Sequence, residues 1–332
     1  MEKSGALCYD KTKIMKKREA AMARIVAALG GNALGNTPAE QKDRAAHAAE
    51  ALVGLIRQGH EIIVAHGNGP QVGMIHLGLN YAAEHGAIAG EIPFPECGAM
   101  SQGYIGYHLQ NALLRSLYAE GLSRKVCTVV TQAEVDPADP AFQNPTKPVG
   151  AFYSETEAAA RMAAGDGVYR EDAGRGWRKV VPSPLPLDIV EKESILSLVR
   201  DGFVVIASGG GGIPVVKRGE GDYEGVSAVI DKDFASERLA EVCGADFLFI
   251  LTAVDRVCVD FNTPAQREVK EMTAAEAERW IAEGQFAPGS MLPKVKAAVR
   301  FARSAPGRRA VICSLAKASL ALTGESGTLV TD

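Results

Sequence analysis

The chain has 332 residues, 47% hydrophobic and 23% charged, with a formal net charge of −4, a pI near 6.0 and a mean hydropathy near zero. That balance fits a globular protein with a substantial core, in one large domain or two lobes sharing a sheet, and argues against disorder or coiled coil. It leaves no sequence-wide basic field for nucleic acid or an anionic membrane, so any anion must be held by local groups. Six cysteines (Cys8, Cys97, Cys127, Cys243, Cys258, Cys313) are widely spread with no C-x-x-C pair, which reads as reduced, mostly buried thiols rather than a zinc site.

In chain order, residues 1 to about 22 read as a polar, poorly ordered extension, with Met22 as a candidate start. Lys16, Lys17 and Arg18 before an alanine-rich stretch look superficially like a signal peptide, but Arg24 interrupts the apolar run and residues 24–29 are needed as the first strand. Apolar runs at 25–29, 62–66, 126–131, 203–208, 247–251 and 310–313 alternate with helix-period stretches, the pattern of repeated β-α units around a buried parallel sheet. Thr37-Pro38-Ala39-Glu40 supplies an N-cap, a proline at the first helical position and a capping-box glutamate, and Gly59 ends that helix. Thr273-Ala274-Ala275-Glu276 repeats the device. No segment is long and apolar enough to span a bilayer.

Residues 136–186 break this rhythm with many prolines, glycines and charges, yet they carry Phe142, Phe152, Tyr153, Tyr169 and Trp177. A solvated linker rarely holds so many aromatics, so the stretch is expected to be a small β-rich excursion from the main body. The chain then divides into an N-terminal lobe, 23–186, and a C-terminal lobe, 187–332.

Glycine loops follow three of the expected strands: Gly30-Gly31-Asn32-Ala33, Gly67-Asn68-Gly69-Pro70-Gln71-Val72-Gly73, and Gly209-Gly210-Gly211-Gly212. The carboxyl edge of a parallel sheet is where open α/β folds bind ligands, and glycines there let backbone N–H groups approach phosphate oxygens. One such loop alone is equally well a plain turn; three at equivalent strand ends carry more weight. The spacing of Gly67, Gly69 and Gly73 misses G-x-G-x-x-G and no G-x-x-x-x-G-K-[ST] occurs, which disfavours a Rossmann dehydrogenase and a P-loop kinase.

Ala28-Leu29-Gly30-Gly31-Asn32-Ala33-Leu34, His66-Gly67-Asn68-Gly69-Pro70-Gln71-Val72-Gly73 and Ser101-Gln102-Gly103-Tyr104-Ile105-Gly106-Tyr107 resemble carbamate kinases, within the amino acid kinase superfamily. Asn144-Pro145-Thr146-Lys147-Pro148-Val149-Gly150, Glu171-Asp172-Ala173-Gly174-Arg175-Gly176-Trp177-Arg178, Val229-Ile230-Asp231-Lys232-Asp233 and Gly289-Ser290-Met291-Leu292-Pro293-Lys294-Val295 continue the match in the same order. The resemblance implies an α/β fold, a three-layer α-β-α sandwich around an eight-stranded, mostly parallel sheet. It places the substrate on the N-terminal lobe, the nucleotide on the C-terminal lobe, and a small protruding subdomain, about 136–182, over the site.

It further implies reversible phosphoryl transfer between carbamoyl phosphate and ADP, giving ATP and carbamate, in a cytoplasmic homodimer serving arginine deiminase or purine/allantoin catabolism. Neither nucleic acid nor membrane is an expected partner. Carbamate is already an oxyanion, so no histidine need act as a base. His47, His60, His76, His85 and His108 read as helix-surface or capping residues, and His66 ends a strand beside a glycine loop. By family match Lys147, Lys232 and Lys294 neutralise the moving charge and Asp233 orients them, with Asp231 a weaker candidate.

Gly30, Gly31, Asn32, Gly67, Asn68 and Gly69 would hold the substrate phosphate, and Gly209, Gly210, Gly211, Thr252, Ala253, Val254 and Met291 the nucleotide. Val254 and Met291 read equally well as core residues, and Arg175 either closes onto substrate or braces the subdomain. Mg²⁺ is expected as a phosphate-bridging ion without an assigned protein ligand. The competing readings are a related kinase with a different small acceptor and a nucleotide-binding sensor without catalysis.

Overall fold

The computed structural model describes residues 22–30, 35, 37–172 and 174–332. The extension read into residues 1–21, and the candidates Gly31 and Asn32, lie outside the described residues.

The strands in chain order are β1 (Arg24–Leu29), β2 (Glu61–His66), β3 (Val126–Thr128), β4 (Gln132–Val135), β5 (Lys147–Tyr153), β6 (Val168–Glu171), β7 (Trp177–Val181), β8 (Pro186–Ile189) and β9 (Val204–Ile206). They continue as β10 (Ile213–Gly219), β11 (Asp222–Gly225), β12 (Phe247–Thr252), β13 (Val257–Val259), β14 (Arg267–Val269), β15 (Glu271–Thr273), β16 (Arg309–Ser314) and β17 (Thr328–Thr331). The helices are α1 (Pro38–Arg57), α2 (Gly69–Glu84), α3 (Phe94–Ala119), α4 (Glu155–Ala163), α5 (Lys192–Arg200), α6 (Lys232–Val242), α7 (Ala274–Ala282), α8 (Met291–Ser304) and α9 (Ala318–Ala321).

Eight strands form the central sheet in the order β15-β17-β16-β12-β1-β2-β9-β3. All pairs are parallel except β16 with β17. Along β1 the side chains alternate between two cores, as a period of two requires. Ile25, Ala27 and Leu29 pack with Leu52 of α1 and Leu109 and Leu113 of α3, while Val26 packs with Ile195 of α5, Leu239 of α6 and Val295 of α8. Helices therefore cover both faces, and the three-layer sandwich read from the resemblance is the observed architecture.

Helix starts follow local chemistry. The Glu40 N–H donates to the Thr37 hydroxyl at the head of α1, and at α7 both halves of the capping box form: Glu276 N–H to Thr273 Oγ1 at 3.2 Å, and Thr273 N–H to Glu276 Oε2 at 2.9 Å. Two expected strands are shorter than their apolar runs. β3 stops at Thr128 and β9 at Ile206, because Gln102 of α3 takes over the Thr131 backbone through two hydrogen bonds, and Ser208 turns left-handed at φ 50°.

The excursion holds the antiparallel sheet β5-β7-β6 and one element that composition did not announce, the helix α4, capped at Ser154 by Glu157. A second sheet, β11-β10-β4-β8, was not anticipated either, since its short strands carry ordinary surface composition on one side.

Gly106 lets α3 lie against β3: a Cβ there would stand 2.3 Å from Thr128 Cγ2 and 3.0 Å from Thr128 Cβ, which rotating the threonine does not relieve. Gly106→Ala is therefore expected to lower the urea-unfolding free energy by about 1–3 kcal/mol. An unchanged midpoint and slope would contradict this packing.

Candidate active site

The parallel register brings the ends of β1, β2, β9 and β12 to one edge, with Leu29 level with both His66 and Leu251. Gly30, Gly67–Gly69 and Gly209–Gly211 lie at this edge. Asn68 stands at the N-terminus of α2 but does not cap it; its amide donates instead to Ser101 of α3 at 2.7 Å, so the side chain leaves the first-turn N–H groups unclaimed. The third glycine run is wedged between the second loop and the entry to α6. At Gly210, φ +67°, a Cβ would stand 2.1 Å from the Asn68 amide nitrogen, and at Gly211, φ +97°, 2.3 Å from the Ile230 carbonyl oxygen. Space as well as backbone conformation thus demands glycine here.

Behind the loops His66 is fully buried. Its Nδ1–H donates to the Gly67 carbonyl at 2.9 Å and its Nε2 has no partner. Burial pushes its pKa from 6.5 down to about 4, against the opposing effect of that hydrogen bond.

In front of them a charge cluster forms from three distant parts of the chain. Asp231 sits at the N-cap of α6: its Oδ1 accepts the Asp233 N–H at 2.9 Å, and its Oδ2 accepts Lys147 Nζ of β5 at 2.6 Å. Asp233, the second residue of the helix and with only 4% of its side chain exposed, takes Lys232 Nζ at 2.5 Å on one oxygen and Lys294 Nζ of α8 at 2.9 Å on the other. Burial pushes the Lys232 pKa down while Asp233 opposes that shift; for Asp233 itself burial acts upward, but the Lys232 and Lys294 ammonium groups hold its carboxyl below the usual range. Three ammonium groups share two carboxylates, so the cluster carries one surplus positive charge.

Buried ion pairs contribute little net stability, and a fold needing only cohesion is served as well by apolar residues. Such a cluster at a ligand-binding edge points to anion chemistry. Of the four residues assigned catalytic roles from the sequence, Lys232, Lys294 and Asp233 are in direct contact, and Lys147 joins them through Asp231. Asp231 was undervalued, although its Asp-x-Asp spacing at a helix start is a legible capping signal.

The remaining candidates are spread more widely. Val254, at the end of the β12 loop, is exposed rather than in the core, and Met291 opens α8 half-buried against the core; Thr252 and Ala253 lie beside Val254. Arg175 is 62% exposed, pairs with Asp172 at 3.1 Å and lies 5.0 Å from the Phe152 ring, the contacts of a brace within the small sheet. Two of the histidines read as surface residues are instead buried: His60 accepts the Ala23 N–H, and His108 faces inward from α3.

The model of the amino acid kinase family matches residues 23–314, so the chain belongs to that family of enzymes. Within it the chain belongs with the carbamate kinases. It is 52% identical over 309 residues to the carbamate kinase of Staphylococcus haemolyticus (strain JCSC1435), covering 93% of this chain and 99% of that one. It is also 52% identical to the carbamate kinase-like protein YqeA of Escherichia coli (strain K12), over 92% of this chain and 98% of that one. A solved structure of carbamate kinase from Giardia lamblia bound to AMP-PNP superposes with a TM-score of 0.85 at 43% identity, covering 94% of this chain and 99% of the other.

The depressed His66 pKa makes stability pH-dependent with a definite sign. The unfolded state binds the imidazole proton below about pH 6.5 and the folded state only near 4, so this contribution is complete above 6.5 and is lost as pH falls between them. Its size is on the order of 3 kcal/mol. The urea-unfolding free energy of His66→Gln should fall less steeply between pH 6.5 and 4.5 than that of the parent; parallel curves would contradict a neutral buried imidazole.

Proposed function

We propose that the chain is a carbamate kinase that transfers the phosphoryl group of carbamoyl phosphate to ADP, giving ATP and carbamate. The convergence of Lys147, Lys232 and Lys294 on Asp231 and Asp233, with one positive charge in surplus, carries this reading. Kinship with carbamate kinases supplies the acceptor.

In the forward step an ADP β-phosphate oxygen attacks phosphorus, the P–O bond to the carbamoyl group breaks, and its electron pair leaves with carbamate. The leaving group is an oxyanion that needs no proton, so the residues must position and neutralise rather than exchange protons. Lys147 exchanges Asp231 for the carbamoyl phosphate oxygens and brings the small sheet over them, excluding water. Lys232 meets the transferring phosphoryl group and Lys294 the ADP phosphates. Asp233 keeps both ammonium groups aligned and charged. The N–H groups of Asn68 and Gly69 at the start of α2 donate to phosphate, while Gly67, its own N–H held by the Leu29 carbonyl at 3.1 Å, shapes the turn that presents them. Gly30 extends that cradle, while Thr252, Ala253, Val254 and Met291 line the nucleotide side along with Gly209–Gly211.

Among the described residues no group of three His, Cys, Asp or Glu side chains is disposed to hold a metal, and Asp231 and Asp233 are each already paired with lysine. That donor set suits Mg²⁺ arriving on the nucleotide with most of its waters, where it would neutralise phosphate oxygens.

Two further parts of the reading concern state and place. Met100, Tyr107, Leu114 and Tyr118 form an exposed apolar stripe along α3, Tyr107 at 60%, and a second copy of the chain is the partner we assign to it. A cytoplasmic location accords with the free thiols of Cys97, Cys127, Cys243, Cys258 and Cys313, and no helix among the described residues is long and apolar enough to cross a membrane.

Purified protein given Mg²⁺, ADP and carbamoyl phosphate should form ATP well above the background of spontaneous carbamoyl phosphate decay; ATP at background would end the kinase reading. Parallel assays with acetylglutamate and UMP as acceptors from ATP should give no turnover. Lys147→Ala should lower kcat/KM for carbamoyl phosphate on the order of a hundredfold while leaving ADP binding within about twofold; unchanged turnover would remove Lys147 from the site. Tyr107→Glu should convert a dimer to a monomer in light scattering, and a parent already monomeric at micromolar concentration would refute the stripe's assignment.

A further inference from the structure

The reacting lysines sit on two separate helices, Lys232 in the first turn of α6 and Lys294 near the start of α8. Only the Lys294–Asp233 pair joins these helices at the site, and it is a poor anchor, because Lys294 must turn toward phosphate when nucleotide binds. A second pair joins them farther along both helices, between a buried glutamate and an arginine whose side chain is 39% exposed. Glu237, four residues beyond Asp233 and hence on the same face of α6, is 1% exposed, and its Oε2 accepts Arg300 Nε of α8 at 3.1 Å.

Both rungs place the acid on α6 and the base on α8. Asp233 to Glu237 rises about 6 Å and Lys294 to Arg300 about 9 Å. The helices therefore run parallel, and the arginine leans back toward its own N-terminus to meet the glutamate. The guanidinium also lies 6.0 Å from the ring of Phe234, so two α6 side chains bracket it.

Nothing about cohesion requires a carboxylate there. The core residues of the two helices, among them Ala235, Leu239, Val295, Ala298 and Ala302, are mostly small and apolar, and such a surface resists sliding weakly. Burial pushes the Glu237 carboxyl above its ordinary range against the pull of Arg300, with Glu241 adding to the rise, which marks the pair as costly. A costly pair whose removal would leave an intact apolar contact is best explained by register.

We infer that the Glu237–Arg300 pair is the positioning device that fixes α8 against α6, and so holds Lys294 level with Lys232 and Asp233 once the Asp233–Lys294 contact opens. Both residues act through Lys294 and touch no substrate. The inference rests on the kinase reading above.

The test uses the double variant Glu237→Leu/Arg300→Met, which replaces the pair by apolar side chains of similar length, beside Arg300→Lys, which keeps the charge but loses the Nε bond and the stacking on Phe234. The double variant should unfold at or above the parent's temperature, yet show kcat about tenfold lower and a raised KM for ADP, with KM for carbamoyl phosphate unchanged. Arg300→Lys should fall between the two. If the double variant is folded and its kcat and KM for ADP match the parent's, the pair is structural filling and the inference is overturned. Equal losses in both KM values would overturn it too, by indicating general loosening. An inactive parent would instead strike the kinase reading; ADP affinity by calorimetry then decides the register, a parent-like value in the double variant counting against it.

Discussion

Two carboxylates at the head of one helix hold together the charge cluster at the glycine-loop edge. Asp231 and Asp233 draw together ammonium groups from β5, α6 and α8, three segments far apart in the chain. Asp231 also caps α6, so the helix start and the lysine position are set by the same side chain. Burial works against the charged forms of Lys232 and Asp233, so these two persist as ions because each answers the other. The balance leaves one positive charge over, which is the charge the proposed reaction needs.

The rest of the fold serves to bring those partners within reach. Parallel strands deliver glycine loops to one edge, and the antiparallel sheet β5-β7-β6 carries Lys147 back over that edge. The small sheet is internally stiff: Asp166 binds Tyr169 at 2.6 Å and Lys179 at 2.9 Å, and Asp172 binds Arg175 and Arg178. It can act on the site as a unit, with Lys147 as its point of contact.

What the sequence reveals depends on the range of the interaction involved. The six apolar strand runs and the caps at Thr37 and Thr273 depend on neighbours a few residues away, and all reappear, although β3 and β9 are cut to three residues by contacts from distant parts of the chain. The second sheet and α4 were hidden because their strands and helix bury only one narrow face each. Among the site residues, motif order marked Lys147, Lys232 and Lys294, but spacing along the chain could not reveal that they share two aspartates. Glu237 and Arg300 gave no signal at all, since a buried glutamate paired with a half-exposed arginine across two helices looks in sequence like two ordinary surface charges. For Arg175 the sequence offered two readings, and the structure adds its contacts with Phe152 and Asp172.

The position of β1 bears on how the chain reaches this state. It lies inside the central sheet, paired on one side with β2, which follows it closely, and on the other with β12, where Arg24 N–H reaches the Asp246 carboxylate across 222 positions. During synthesis one edge of β1 can be satisfied early, but the other must wait until more than two thirds of the chain has emerged. Until then a fully apolar strand with unpaired backbone groups stands open, a template for the wrong neighbour. The vulnerable interval in the life of this protein is the one before Asp246 is made, and slowing translation between β2 and β12 would lengthen it.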